Sequence, residues 1–165
     1  MMPKSRRPLI GTRESFKQLY GARLLVADEI AVRFIHAWDE EEIVTLYRAG
    51  GWWKEEYKAE DLRFLIRGSF AFVVATDEKT GRAVGTGRVI ADGISDGYIQ
   101  DLVVLPEYRK SGVGRQIVSA LVDRCLQSGL TWIGLIAEPG TEAFYLPLGF
   151  HILRGHVPLV FGYEI

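Results

Sequence analysis

Several classes of protein are excluded by what this chain has little of. It holds one cysteine, Cys125, so neither an internal disulfide nor a Cys-rich zinc site can form, and nothing points to an oxidising compartment. The basic start, residues 1–9, is not followed by an apolar run that would serve as a signal peptide or membrane span, so a soluble, cytoplasmic protein is expected. Charge of one sign is also missing. Twenty Lys plus Arg against 21 Asp plus Glu leave a formal net charge of -1, which provides no global field for nucleic acid or an anionic membrane, and neither is expected as a partner. The three histidines, His36, His151 and His156, are scattered without carboxylate or cysteine neighbours at ligand spacing, so no metal site is expected. There is no internal repeat, heptad run or low-complexity tract.

What is present is a globular composition, with 48% hydrophobic and 25% charged residues in a chain of 165, enough to bury a core in one domain. Residues 1–21 lack a clear period and read as an N-terminal extension; residues 22–165 read as a single domain. Residues 22–27 and 30–37 predict a hairpin around Asp28-Glu29. Asp39 reads as a helix N-cap, with Glu40, Glu41 and Glu42 in the first turn and Gly50-Gly51 as the stop. A second short helix is expected over residues 59–66. Strands are expected over 69–76 and 82–91, joined by a turn at 77–81, and over 98–105, ended by Pro106. Residues 112–127 carry apolar positions at helical spacing and stop at Gly129; residues 132–137 read as a strand and 141–146 as a short helix. Strand, helix and strand across 98–137 make a βαβ unit with parallel strands. Residues 150–153 and 157–163 read as closing strands. The fold is mixed α/β.

One stretch carries recognisable chemistry. Between the strand at 98–105 and its helix lies Arg109-Lys110-Ser111-Gly112-Val113-Gly114-Arg115. Two glycines one residue apart permit a tight turn, the first helical N–H groups point outward, and Arg109, Lys110 and Arg115 add local positive charge, so the turn can hold an anion such as a pyrophosphate. The competing reading is a solvated basic loop. A Walker loop is excluded because no glycine pair here is followed by Lys and Ser or Thr, and a dinucleotide fingerprint because position 117 is Ile117.

Arg109 to Gly114, following a strand that ends Val-Leu-Pro, resembles the acyl-CoA signature [Arg or Gln]-x-x-Gly-x-[Gly or Ala] of the GNAT superfamily of N-acetyltransferases. Phe144-Tyr145-Leu146-Pro147-Leu148-Gly149-Phe150 resembles the family's late F-Y-x-x-x-G-F segment. The resemblance implies a mostly antiparallel mixed sheet with one splayed parallel strand pair and helices on both faces. It implies acetyl-CoA as cosubstrate, no metal, and a possible homodimer built through terminal strands. Backbone groups of Leu102, Val103 and Val104 would pair with the pantetheine, and an N–H at Val103 or Val104 would polarise the thioester carbonyl. Residues Arg109, Lys110, Ser111, Gly112, Val113, Gly114 and Arg115 would hold the pyrophosphate. Tyr145 would be the general acid that protonates the departing thiolate.

The acceptor must also lose a proton. An alkylamine with a pKa of about 10.4 is almost wholly ammonium at neutral pH, and supplying its free base costs about 4 to 5 kcal/mol. Some polyamine-acetylating relatives carry a carboxylate where Gln100 stands, and an amide cannot take that proton. Asp101 and Glu138 are the remaining candidates, acting through water; an ion pair or a turn contact is the alternative for each. Glu138 also stands where the family often has Asn. Trp52, Trp53 and Tyr57 occupy the connection that forms part of the family's acceptor wall, with Gln100 a further substrate contact; core packing or a dimer surface is the alternative for the three aromatic residues. Cys125 falls on an apolar helix face and reads as core rather than nucleophile. The resulting expectation is direct acetyl transfer to a primary amine, small or aromatic, in a ternary complex. The alternatives are an acyl-CoA-binding sensor and a protein lysine or N-terminal acetyltransferase.

Overall fold

The computed structural model describes residues 29–162. The expected N-terminal extension and the first strand of the expected hairpin lie outside the described residues. Five strands form one sheet in the order β1-β2-β3-β4-β5: Ile30–Phe34, Ala71–Asp77, Ala83–Ala91, Asp96–Val104 and Trp132–Gly134. The first four are successively antiparallel, and β4 and β5 are parallel, as the βαβ reading requires. The helices are α1 (Glu40–Ala49), α2 (Leu62–Gly68), α3 (Val113–Gln127) and α4 (Glu142–Tyr145), with single 3₁₀ turns at Ala59–Asp61, Pro106–Tyr108 and Leu146–Leu148.

The local chemistry explains the boundaries. Asp39 caps α1 by accepting a hydrogen bond from the Glu42 amide at 3.0 Å, and the three glutamates of the first turn favour the positive end of the helix dipole. Gly51, at φ +76°, ends that helix in a left-handed conformation that a side chain would strain. Strand β2 is buried along Ala71–Thr76, because helices cover both sides of the sheet. Val73, Ala75, Val84 and Val89 pack with Ile117, Val118 and Leu121 of α3 on one face. Phe72 and Val74 pack with Ile43, Leu46 and Ile66 from α1 and α2 on the other. A Cβ on Gly87 would lie 2.8 Å from Cγ2 of Ile117, so the bare backbone there lets α3 sit directly on β3.

Two expectations need correction. The strand read at 132–137 ends at Gly134, since nothing continues the ladder with β4 beyond that point. The expected closing strands at 150–153 and 157–163 are not strands: residues 151–162 form exposed turn and coil, and residue 163 lies outside the described residues. Their β-branched and aromatic content fits a pleated surface, but strand propensity expresses packing against a neighbour, and no neighbouring strand is present for them among the described residues.

Candidate active site

The ladder between β4 and β5 lasts three residues: Asp96 faces Trp132, Gly97 faces Ile133 and Tyr98 faces Gly134. Beyond it the two chains part. A cleft of about 280 Å³ opens there, lined by Tyr98 to Leu102 from β4, Ile136 and Glu138 from the segment after β5, Tyr145 from α4, and Trp52. On its other side β4 stays paired to β3, with a one-residue register shift between the Arg88–Gln100 and Thr86–Val103 pairs. That β-bulge bends the strand, and Asp101 within it takes the left-handed conformation, φ +55°.

Asp101 is held there by two donors. Arg88 Nε donates to Asp101 Oδ2 at 2.5 Å, Tyr47 Oη donates to the same oxygen at 2.7 Å, and Arg88 Nη2 donates to Gln100 Oε1 at 2.8 Å. Of the two readings open for Asp101, the structure displays the ion pair. Burial, followed by the Asp101 charge, pushes the Tyr47 phenol far above its ordinary value, so it remains a donor. The Trp52 ring meets Tyr47 edge-on at 5.7 Å and so joins this network to the cleft wall. Gln100 takes part through its carbonyl oxygen, and its amide nitrogen has no partner among the described residues. Trp53 and Tyr57 pair with one another at 5.8 Å away from the cleft lining, with Trp53 packed on the α1–α2 core and Tyr57 49% exposed.

Tyr145 stands across the cleft, its ring held by edge contacts with Phe144 at 4.9 Å and Phe150 at 5.9 Å. Burial, and secondarily the charge of Glu138, raises its phenol pKa, so the hydroxyl keeps its proton at neutral pH. Glu138 is exposed; its backbone carbonyl accepts from the Thr141 amide at 2.9 Å and the Thr141 hydroxyl at 2.7 Å, closing a turn, while its side chain borders the cleft.

The glycine-rich turn lies between β4 and α3. Lys110 at φ +62° and Gly112 at φ +91° fold it back on itself. The first amide closed by the helix is Gln116, which donates to the Gly112 carbonyl at 3.1 Å; among the described residues the amides of Val113, Gly114 and Arg115 have no acceptor. With no capping side chain at Gly112, these donors and the helix dipole can take an anion. Arg109 turns its Nε to the Val104 carbonyl at 2.9 Å, and Ser111 Oγ donates to the Tyr108 carbonyl at 2.5 Å, so both brace the turn. Tyr108 Oη in turn donates to Asp77 Oδ2 at 2.7 Å and anchors the turn to the end of β2. A Cβ on Gly114 would lie 3.3 Å from Cζ of Phe144, so the turn packs on the aromatic cluster that holds Tyr145. Leu102, Val103 and Val104 direct one backbone edge to β3, where Val103 faces Thr86 and Val104 faces Gly85, and β5 gives them no partner on the other.

Cys125 is buried against α3's core face, and burial pushes its thiol up to about 11, which leaves it inert as a nucleophile at neutral pH. Arg88, Tyr47, Tyr108 and Phe144 escaped the sequence reading as site residues. Phe144 sits inside the recognised late segment and was legible there; the other three join the site through contacts 13 to 54 residues apart, which no local pattern encodes.

The "Acetyltransferase (GNAT) domain" family model matches residues 68–152, the stretch that contains the cleft, the turn and Tyr145. The chain belongs to the GNAT acetyltransferase family. It is similar to the chloroplastic GCN5-related N-acetyltransferase 1 of Arabidopsis thaliana, 37% identical over 73 residues, covering 44% of this chain and 37% of that protein. It is also similar to the chloroplastic serotonin N-acetyltransferase 2 of Oryza sativa subsp. japonica, 34% identical over 76 residues, covering 46% of this chain and 38% of that protein. The match thus spans less than two fifths of either relative's length. A GNAT family acetyltransferase of Streptococcus pneumoniae shares the fold with a TM-score of 0.67 and 25% identity, covering 82% of this chain and 99% of that one. The family is one whose members use acetyl-CoA.

Proposed function

We propose that this GNAT protein transfers the acetyl group of acetyl-CoA to the primary amine of a small arylalkylamine, directly and within a ternary complex. The observation that carries the reading is the shared cleft, in which a protonated phenol, the unpaired edge of a strand and an aromatic wall converge. The bound coenzyme supplies the thioester. The free amides of residues 113–115 suit its pyrophosphate, and the open backbone edge of residues 102–104 suits its extended amide arm. A backbone N–H of that edge stabilises the charge that develops on the thioester oxygen as the amine nitrogen bonds to the carbonyl carbon and the C–S bond breaks. Tyr145 gives its proton to the departing sulfur, and the second proton that the nitrogen sheds on becoming an amide returns the phenol to its neutral form. The ammonium proton of the acceptor leaves through water to Glu138, the cleft carboxylate that no cation engages among the described residues, whereas Asp101 is occupied by Arg88.

The size of the cleft favours a small acceptor over a folded protein tail, being slightly below the ~300 Å³ at which ligand pockets usually begin. The Trp52 ring favours an aromatic one, in keeping with the name of the rice relative. The test is thiol release from acetyl-CoA with paired aromatic and aliphatic amines, alongside calorimetry with CoA. Acetylation with a lower KM for the aromatic partner is expected. Coenzyme binding without thiol release for any amine would replace the enzyme by an acyl-CoA sensor, and an aliphatic preference would remove the role given to Trp52.

A further inference from the structure

The two glycines that end α1 have different tasks. Gly51 is conformational: at φ +76° it reverses the chain, and a Cβ there would meet nothing within 4 Å. The reversal is of the Schellman type, with the Gly51 amide donating to the Arg48 carbonyl and the Trp52 amide to the Tyr47 carbonyl, each at 3.0 Å. It folds Trp52 back over the last helical turn, where the ring meets Tyr47 edge-on. Gly50 has no such conformational need. Its φ of -81° and ψ of -10° lie in the right-handed helical region, which any side chain adopts. The obstacle to a side chain there is steric: an added Cβ would lie 2.7 Å from Cε3 of Trp52 and 2.8 Å from Cζ3. The bare Cα of Gly50 is therefore the seat of the indole.

That indole is also part of the cleft wall, whereas Gly50 is not. Tyr47, on the flank of the ring, is buried and tied to Asp101 by the 2.7 Å hydrogen bond, so it does not give way. Carbon atoms pack at about 3.5 to 4 Å, so a methyl group on Gly50 displaces the rigid ring by roughly 1 Å. The open space that the ring borders is the cleft, which at about 280 Å³ has little room to lose. We infer that Gly50 is a positioning residue that sets acceptor size: its missing side chain lets Trp52 lie back from the cleft, and the depth of that seat fixes how large an aryl group the site admits. This role rests on the arylalkylamine reading given above. It adds a limit on ring size, and the residue that sets the limit stands behind the wall rather than in it.

The test compares kcat/KM for phenethylamine and for the bulkier naphthylethylamine, with acetyl-CoA as donor. Gly50→Ala should lower the naphthyl-to-phenyl ratio about tenfold, mainly through KM. A merely structural role would lower Tm and both activities together and leave the ratio alone. Trp52→Leu should raise the ratio. Adding Gly50→Ala to Trp52→Leu should then change the ratio no further, since no ring remains to meet the methyl group. An unchanged ratio in Gly50→Ala, or the same fall in the Trp52→Leu background, overturns this role and leaves acetyl transfer to arylalkylamines standing. Failure of the wild-type protein to acetylate either amine overturns the proposed function instead, and this role with it. Should Gly50→Ala fail to fold, the Gly50→Ala/Trp52→Leu protein decides: it must fold as Trp52→Leu does, because the ring is the obstacle, and its failure rejects the seat.

Discussion

Arg88 Nε lies 2.5 Å from Asp101 Oδ2 across the bulge of β4, and the two side chains are only 14% and 21% exposed. The pair holds the one non-glycine residue of the cleft lining whose φ is positive, and Tyr47 closes the arrangement from α1.

Arg88→Met should therefore act as more than a lost surface ion pair. It leaves Asp101 with Tyr47 alone and frees the Gln100 carbonyl oxygen, stranding a carboxylate in a largely enclosed place. The expected loss of stability is about 2 to 3 kcal/mol, below the value for a fully buried pair because both groups retain some solvent. Urea denaturation checks it, and a change under 0.5 kcal/mol would show that the bulge holds itself. Turnover should fall while CoA affinity is preserved, if the far turn holds the coenzyme as proposed.

Tyr47 yields a pH dependence with a definite sign. Its phenol is raised above the ordinary tyrosine value of about 10 by burial and by Asp101, so in the native state it keeps a proton that the unfolded chain gives up near pH 10. The native state then binds more protons, and stability must fall as pH rises above that value. Each pH unit of that window costs up to about 1.4 kcal/mol per group. Thermal melts between pH 9 and 11 should show a steeper loss in the wild type than in Tyr47→Phe. Parallel slopes would mean that other groups drive the alkaline transition.

How legible this molecule was depended on how far each interaction reaches along the chain. The α1 cap at Asp39, the helix over Val113–Gln127 and the Gly112 turn are local, each encoded within a few residues, and all three are found where the pattern places them. The parallel pair of β4 and β5 followed from the helix between them. The bulge at Asp101 was invisible because it is a register fact: it depends on how β3 lies beside β4, and on Arg88 and Tyr47 arriving from elsewhere. The tail misled for the opposite reason. Val157, Leu159 and Phe161 carry the alternation of a strand, yet strand propensity expresses packing against a neighbour, and among the described residues these side chains are exposed with no strand beside them.

Gly112 offers the cleanest separation of fold from binding. A Cβ there meets nothing within 4 Å, yet φ is +91°, so the penalty of Gly112→Ala comes from the backbone alone, about 1 to 2 kcal/mol. The turn relieves that strain by rotating, which misdirects the amides of residues 113–115. Calorimetry should record at least a tenfold weaker affinity for CoA with the core intact by near-ultraviolet circular dichroism. Unchanged affinity would mean that the coenzyme is gripped elsewhere.

Tyr145→Phe removes a single oxygen from the cleft and leaves the edge contacts with Phe144 and Phe150 in place, so the variant should fold as the wild type does. If the hydroxyl protonates the departing thiolate, kcat should drop by about 10² to 10⁴. The Kd for CoA should stay within a factor of two or so, since the turn proposed to hold the pyrophosphate is untouched. Because burial and Glu138 raise the phenol's pKa, wild-type turnover should hold through pH 10, and any alkaline decline assigned to this group must begin above that. Tyr145→Phe should lack that decline. A variant with wild-type kcat would assign the proton to a water molecule and leave Tyr145 as part of the aromatic packing alone.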